Sequence, residues 1–356
     1  MIEELKVDYA VLGAGLAGSI LSIQLIDKNL DFITLDTKLP KASLKASGLY
    51  NPLVFKRLTK SWAVDKVLNY AQNFYSSAVE NSNEFFYSYP LKKTVLNAEE
   101  INNWEIKSAE AAFNGYLGTL ETSKIKGIKN TSWGNVKNTG YVNLKKFINQ
   151  VHENLLQQNR LVVCDEKPDI KIQDSSVIIS HKNIKIEAQN VLFCDGPHVV
   201  KNPYFNYLPF KLTKGETLVF KSNLLCEDFI IKKHFFIIPI GNHLFKFGAT
   251  NEWENLHWKN TVKGKQLLLE KLEDLIHIPY EIIDYSAGIR PTTRDRKPFI
   301  GTHPKHKNLH IFNGLGSKGV TLAPYYSNQL VEYLTAGAFL DKEVNIDRYI
   351  KYYDHE

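Results

Sequence analysis

Cysteine is scarce here: Cys164, Cys194 and Cys226 are the only three in 356 residues, and no two stand at redox or metal-ligand spacing. That excludes a Cys-x-x-Cys centre and a cysteine-built zinc site, and it points to reduced thiols in a cytosolic protein. His198, His234, His243, His303 and His306 also lack ligand spacing, so no metal is expected. Methionine occurs once. No apolar run approaches the roughly 18–20 residues a membrane span requires. The opening stretch "MIEELKVDYAVLG" is acidic and runs straight into a strand, without a charged leader or cleavage site, so the expected location is the cytoplasm. No internal repeat and no low-complexity linker interrupt the chain.

What is present describes an ordinary globular chain, 44% hydrophobic and 23% charged, long enough for two domains or for one with a large insertion. The formal charge is +6, and the lysines are spread along the whole length. A dispersed excess of this kind reads as a solvated basic surface rather than a nucleic-acid footprint.

"VDYAVLGAGLAGSILSIQLIDKNLDFITLD" reads as strand, tight turn, helix, strand, one βαβ unit beginning almost at the first residue. A helix is expected over Trp62–Ser77, and the pattern then loosens from about residue 84 to 137. Leu144, Phe147, Ile148, Val151 and Leu155 mark an amphipathic helix. "DIKIQDSSVIISHKNIKIEAQ" alternates like antiparallel strands, and "NVLFCDG" reads as a separate buried strand. "GETLVFKS", "HFFIIPIGNHLFKFGAT" and "YEIIDYSAG" are strand-like, with a helix in "NTVKGKQLLLEKLEDLI". The expected fold is α/β: a discontinuous, Rossmann-like three-layer nucleotide domain (1–84, 138–207 and 284–356) with a β-rich α+β substrate domain (85–137 and 208–283) inserted into it.

The first glycine-rich turn carries the clearest chemistry. In "GAGLAG", Gly13 permits the tight turn, Gly15 lets backbone approach a pyrophosphate, and Gly18 allows close helix–strand packing. The helix N-terminus beyond it offers free N–H donors and the positive end of a dipole. Asp36 ends the second strand, where a carboxylate accepts hydrogen bonds from a ribose. Together these mark a dinucleotide site, and its place so near the N-terminus favours FAD over a nicotinamide cofactor.

A second glycine-rich stretch lies near the other end. "AGIRPTTRDRKPFIGTHPKHKNLHIFNGLGSKGVTLAP" resembles the C-terminal signature of the D-amino-acid oxidase/glycine oxidase family of FAD-dependent amine oxidoreductases. Gly288, Arg290, Pro291, Thr293, Asp295, Pro298, Ile300 and Gly301 follow its G-x-R-P-x-T-x-D-x-x-P-x-I-G pattern, and Gly314, Gly316, Gly319, Ala323 and Pro324 its closing loop. "CDGP" (Cys194–Pro197) and "KGETL" (Lys214–Leu218) are further marks, whereas residues 85–137 carry none. The resemblance implies an extended FAD whose flavin lies between the two domains. Gly13, Gly15, Leu16, Ala17 and Gly18 would hold the pyrophosphate, and Asp36 with Thr37 the adenosine ribose. Ser47 and Gly48 would approach the flavin or pyrophosphate, Ile170 the adenine, and Gly196 the cofactor channel. Gly314, Gly316, Ser317, Lys318, Gly319 and Val320 would lie along the pyrimidine edge of the flavin. A helix N-terminus and the Lys318 cation there would stabilise the negative charge of the reduced ring.

In this family the arginine of G-x-R-P pairs with the substrate carboxylate, and Arg290 occupies that position; a structural ion pair to Asp295, or a hydrogen bond to a backbone carbonyl, is the competing reading. The implied reaction is oxidation of an amine α to a carboxylate, with hydride passing from Cα to flavin N5 and water hydrolysing the resulting imine. The electron acceptor is oxygen or another oxidant. Arg290 and Lys318 are the expected catalytic residues.

The chain departs from the pattern at one place. Where the amino-acid oxidases carry the tyrosine of Y-x-x-P-R, "FFIIPIG" puts Phe236, and Ile240 replaces the arginine. Tyr50, Tyr141, Tyr285 or a lysine is then the expected substitute for the missing hydroxyl. Trp253 is expected in the core or a cleft wall. "GLGSKG" and the basic loop Ala46–Trp62, with Lys56, Arg57 and Lys60, resemble instead the FAD domain of the bacterial bifunctional enzyme that trims carboxymethylaminomethyl-uridine in tRNA, also an N-substituted glycine oxidation. Two alternatives therefore stand beside amino-acid oxidation: tRNA trimming, and FAD binding without turnover.

Overall fold

The computed structural model describes residues 3–353; the remaining terminal residues of the expected 1–84 and 284–356 segments lie outside it. Its first sheet grows from the strand Glu3–Leu12, in which Tyr9 and Val11 enter one core while Ala10 and Leu12 enter another. Side chains alternate along a strand, so a run apolar at every position must be covered on both faces. Helices Leu16–Asp27, Val64–Ser77, Leu144–Gln157 and Gly319–Ala336 cover one face. The antiparallel strands Asp169–Ile172 and Val177–His181 and the segment holding Phe205, Tyr207 and Leu208 cover the other.

The strand order is Leu161–Cys164, Phe32–Thr37, Glu3–Leu12, Ile184–Phe193, parallel throughout. Beyond Ile184–Phe193 the sheet forks. The first half of that strand pairs antiparallel with Val177–His181, and its second half pairs parallel with Leu309–Asn313. The last part of the alternating segment, "IKIEAQ", and "NVLF" are therefore a single ten-residue strand, not two. The pattern changes along it because its neighbours change.

The second sheet has eight strands: Glu281–Arg290, Thr213–Lys221, Leu244–Gly248, Phe236–Pro239, Ile230–Lys232, Leu91–Thr94, Ser132–Val136 and Leu117–Thr122, in that spatial order. Strands from 85–137 and from 208–283 thus share one sheet, and Glu281–Arg290, which spans the expected boundary at 284, belongs wholly to it. One face packs on the helix Val262–Glu273 through Leu268 and Leu272. Toward the far edge the other face meets Trp104 of the helix Ala98–Ala109. Among the described residues no helix is long and apolar enough to cross a membrane.

Candidate active site

A single cavity of about 1450 Å³ lies between the two sheets and takes in both glycine-rich loops. At one end the "GAGLAG" turn leaves the first strand. A Cβ on Gly18 would stand 1.8 Å from the Gly13 carbonyl oxygen, and one on Gly13, whose φ is +101°, would stand 2.7 Å from the Cys194 carbonyl. Only glycine fits at either position. Gly18 does not reach the cavity wall: it closes the turn, while Gly13, Gly15, Leu16 and Ala17 line the space. Gly15 is the N-cap of the helix and no side chain caps it, so first-turn N–H groups are free for an anion. Asp36 accepts from the Ala14 N–H at 2.9 Å and pairs with Lys41 at 3.0 Å, and with Thr37 it faces the same space.

The loop after Leu309–Asn313 enters from the other side. Asn313 donates to Asp195 Oδ1 and to the Gly196 carbonyl, both at 3.0 Å, and its own Oδ1 accepts from the Gly314 N–H. The "CDGP" turn and the "GLGSKG" loop are therefore stitched together by one amide. Lys318 is the uncapped N-cap of the helix Gly319–Ala336. Its Nζ donates to the Asn51 carbonyl at 3.4 Å, and burial pulls its pKa down to about 8. Burial likewise pushes the Asp195 carboxyl up to about 6.

Arg290 ends the strand Glu281–Arg290 and extends along the sheet face. It donates to Asn251 Oδ1 at 3.1 Å and more weakly to the Thr250 carbonyl. No carboxylate pairs with it among the described residues. Asp295, the alternative partner, pairs with Arg348 at 3.1 Å and accepts from the Lys297 N–H, so the Arg290–Asp295 ion pair does not form. Burial lowers the guanidinium pKa without removing its charge.

Of the other expected residues, Ser47, Gly48, Ile170, Gly196, Gly314, Gly316, Ser317, Gly319 and Val320 all line the cavity. Tyr50, Tyr141 and Tyr285 do not. Tyr50 is buried with its hydroxyl on Tyr87 and Ser88, Tyr141 stacks on Tyr87 and Tyr89, and Tyr285 lies under Lys265 on the opposite face of the sheet. Trp253 lines the cavity at its rim, a cleft-wall position, and is exposed rather than in the core. Among the wall residues that escaped the sequence reading are Lys232, Lys93 and Asp195. For the lysines no local motif exists. For Asp195, an acid inside an otherwise apolar strand-to-turn segment was the available signal.

The donor set fits a dinucleotide. Two uncapped helix N-termini open on one cavity whose lysines and arginines outnumber its carboxylates. Glycine oxidase from Bacillus subtilis (strain 168) is 27% identical over 143 residues, 39% of this chain and 37% of that protein, so the match spans little more than a third of the curated relative's length. The crystal structure of glycine oxidase from Geobacillus kaustophilus superposes with a TM-score of 0.79 at 17% identity, covering 97% of this chain and 98% of that one. That of iminodiacetate oxidase from Chelativorans sp. BNC1 superposes at 0.77 and 16%, covering 96% and 98%. At such identities the superpositions speak for the fold. Residues 8–333 match the profile of the FAD dependent oxidoreductase family, and with both ends of the nucleotide site inside that match, the chain belongs to this family of FAD enzymes.

Proposed function

We propose that the chain oxidises the carbon–nitrogen bond of a small amine bearing a carboxylate, of the glycine, N-substituted glycine or D-amino-acid type. The observation that carries this is Arg290: a cation in the cavity wall, oriented by Asn251 and the Thr250 carbonyl and matched to no carboxylate of the described chain. A planar guanidinium in that setting recognises a carboxylate bidentately. The partial likeness to glycine oxidases supports the same class.

Gly13, Gly15, Leu16 and Ala17 would hold the pyrophosphate of FAD, Asp36 and Thr37 its ribose, Ile170 its adenine, and the Gly314–Val320 loop its flavin. When bound, FAD would supply the hydride acceptor for oxidation at Cα. Arg290 fixes the carboxylate and so limits the directions in which Cα presents that hydrogen. Leu53, Phe55 and Phe236 form an apolar wall that excludes water and disfavours the ammonium form of the amine. The Arg290 and Lys318 charges act in the same direction. The neutral amine is thereby favoured without a dedicated side-chain base. The domain division we propose keeps the nucleotide site in 1–84, 138–207 and 291–356, and gives the whole strand Glu281–Arg290 to the substrate sheet, whose face bearing Arg290 is the roof of the substrate space.

Replacing Arg290 with alanine is expected to abolish anaerobic bleaching of bound FAD by amino-carboxylates; near-normal bleaching would remove the reading. The tRNA alternative draws on Lys56 and Arg57, exposed beside the cavity, although Lys60 is already paired with Asp65. Failure of tRNA to bind at low salt eliminates it. Bound FAD that no amine reduces would leave a binding role alone.

A further inference from the structure

The cavity face of the second sheet carries a pair of cations in one row, one of them without a carboxylate partner. Lys93 and Lys232 are register partners on adjacent parallel strands, and the row continues through Phe236, Gly248 and Thr217. Arg290 lies over Gly215, two residues from Thr217 and on the same face. Like charges directly opposite one another across a sheet are destabilising. Lys93 is relieved by Glu100 at 2.8 Å, but no carboxylate reaches Lys232 among the described residues. The neighbouring Asp274 is engaged by Lys233 and His234 instead.

Lys232 is nevertheless held in place. Its Nζ donates to the carbonyls of Lys233 at 2.8 Å and His234 at 2.7 Å, and lies 4.9 Å from the centre of the Phe236 ring. Two of its three N–H donors are accounted for, leaving one for the cavity that this residue lines. Burial and Lys93 together pull its pKa down to about 8, the mark of a cation lacking its counterion.

Resting on the reading above, we infer that Lys232 is a second anion subsite and that the substrate is an N-substituted glycine whose nitrogen arm ends in another carboxylate. Arg290 takes the glycine carboxylate and Lys232 the distal one. With the Lys232 ammonium over Phe236 and the Arg290 guanidinium over Gly215, the charges stand about two strand spacings across and two residues along the sheet, roughly 12 Å. Two carboxylates each roughly 3 Å from its cation are then separated by only a few bonds. Phe236, where related oxidases place a tyrosine, packs beneath the arm instead of binding a carboxylate.

The test needs no turnover at first. Perturbation of flavin absorption in the holoenzyme is titrated with glutarate and with butyrate, redox-inert acids that differ in the second charge. Glutarate is expected to bind at least about tenfold tighter; Lys232→Met should erase that preference and Lys232→Arg should retain it. Equal affinities in the wild type, or a preference that survives Lys232→Met, overturns the subsite. Anaerobic bleaching by N-(2-carboxyethyl)glycine and N-propylglycine separates this from the parent reading. If neither compound reduces the flavin while the glutarate preference holds, the proposed oxidation fails and the subsite stands. Equal reduction by both, without a glutarate preference, leaves the oxidation and removes the subsite.

Discussion

Gly215 lies directly beneath the guanidinium of Arg290: a Cβ built there would stand 2.0 Å from Nη2 and 2.5 Å from Cζ. The arginine can extend along the sheet only because the residue under it has no side chain. Gly215 itself lies outside the left-handed region, so alanine can adopt its backbone. Gly215→Ala should therefore fold and bind FAD, yet swing the guanidinium aside. The expected result is a rise in KM for carboxylate-bearing amines of about ten- to a hundredfold, with flavin content unchanged. Unaltered KM in steady-state assays with an electron acceptor would mean that Arg290 holds no substrate group.

Lys318 is a buried cation at the mouth of a helix, lowered to about 8. Lys318→Met removes a positive charge from the expected flavin loop, and the midpoint potential of bound FAD should fall by about 30 mV or more, a factor of ten or more for a two-electron couple. In the wild type that potential should also bend near pH 8, where the lysine loses its proton, and the bend should be missing from the variant. Spectroelectrochemistry across pH 6.5–9.5 reads both effects.

Asp195 is held by Asn202 and Asn313 in a buried turn, with its carboxyl raised from 3.8 to about 6. Between those values the folded state binds more protons than the unfolded state, so this group's stabilisation is complete below about pH 4 and is lost as pH rises through 6. The loss amounts to roughly 2–3 kcal/mol. Asp195→Asn should be spared it. Urea unfolding of both proteins at pH 4.5 and 7 should show a wild-type-minus-variant difference that declines with pH; a constant difference would refute the assignment.

His310 works in the opposite sense. Buried between Thr302 at 2.9 Å and Asn190 at 3.1 Å, it is pulled down to about 4. The unfolded state then binds more protons between pH 4 and 6.5, so this contribution grows as pH rises through that window. His310→Gln should flatten the acid limb of the thermal stability curve over that range. Comparing melting temperatures at pH 4.5 and 7 measures it.

Legibility followed sequence distance. Gly13, Gly15, Gly18 and Asp36 stood out because one local turn imposes their spacing, and Arg290 and the Gly314–Val320 loop because they share a continuous signature. The helix Ala98–Ala109 was legible but overlooked: Asn97 accepts from the Glu100 N–H, an N-cap with a glutamate three residues on. The Lys93–Lys232 pair was not legible, because strand register joins two segments far apart in the chain. Tyr50, Tyr141 and Tyr285 misled for the same reason. Their residue type suited the role, but the sheets turn all three away from the cavity.

Lys246 lies in the middle of the strand Leu244–Gly248, yet its Nζ leaves the sheet to donate to the carbonyls of Lys45 at 2.8 Å and Ala46 at 2.9 Å. Those two residues belong to the loop along the cavity that also carries Ser47 and Gly48. Floor and roof of the chamber are thus riveted at one point by a nitrogen that burial and Lys45 bring to a pKa of about 8. On the proposed reading, a dinucleotide seated against this loop would set the height of the sheet above it. The clearance over the reacting carbon would then follow the dinucleotide's fit as much as the substrate's own contacts.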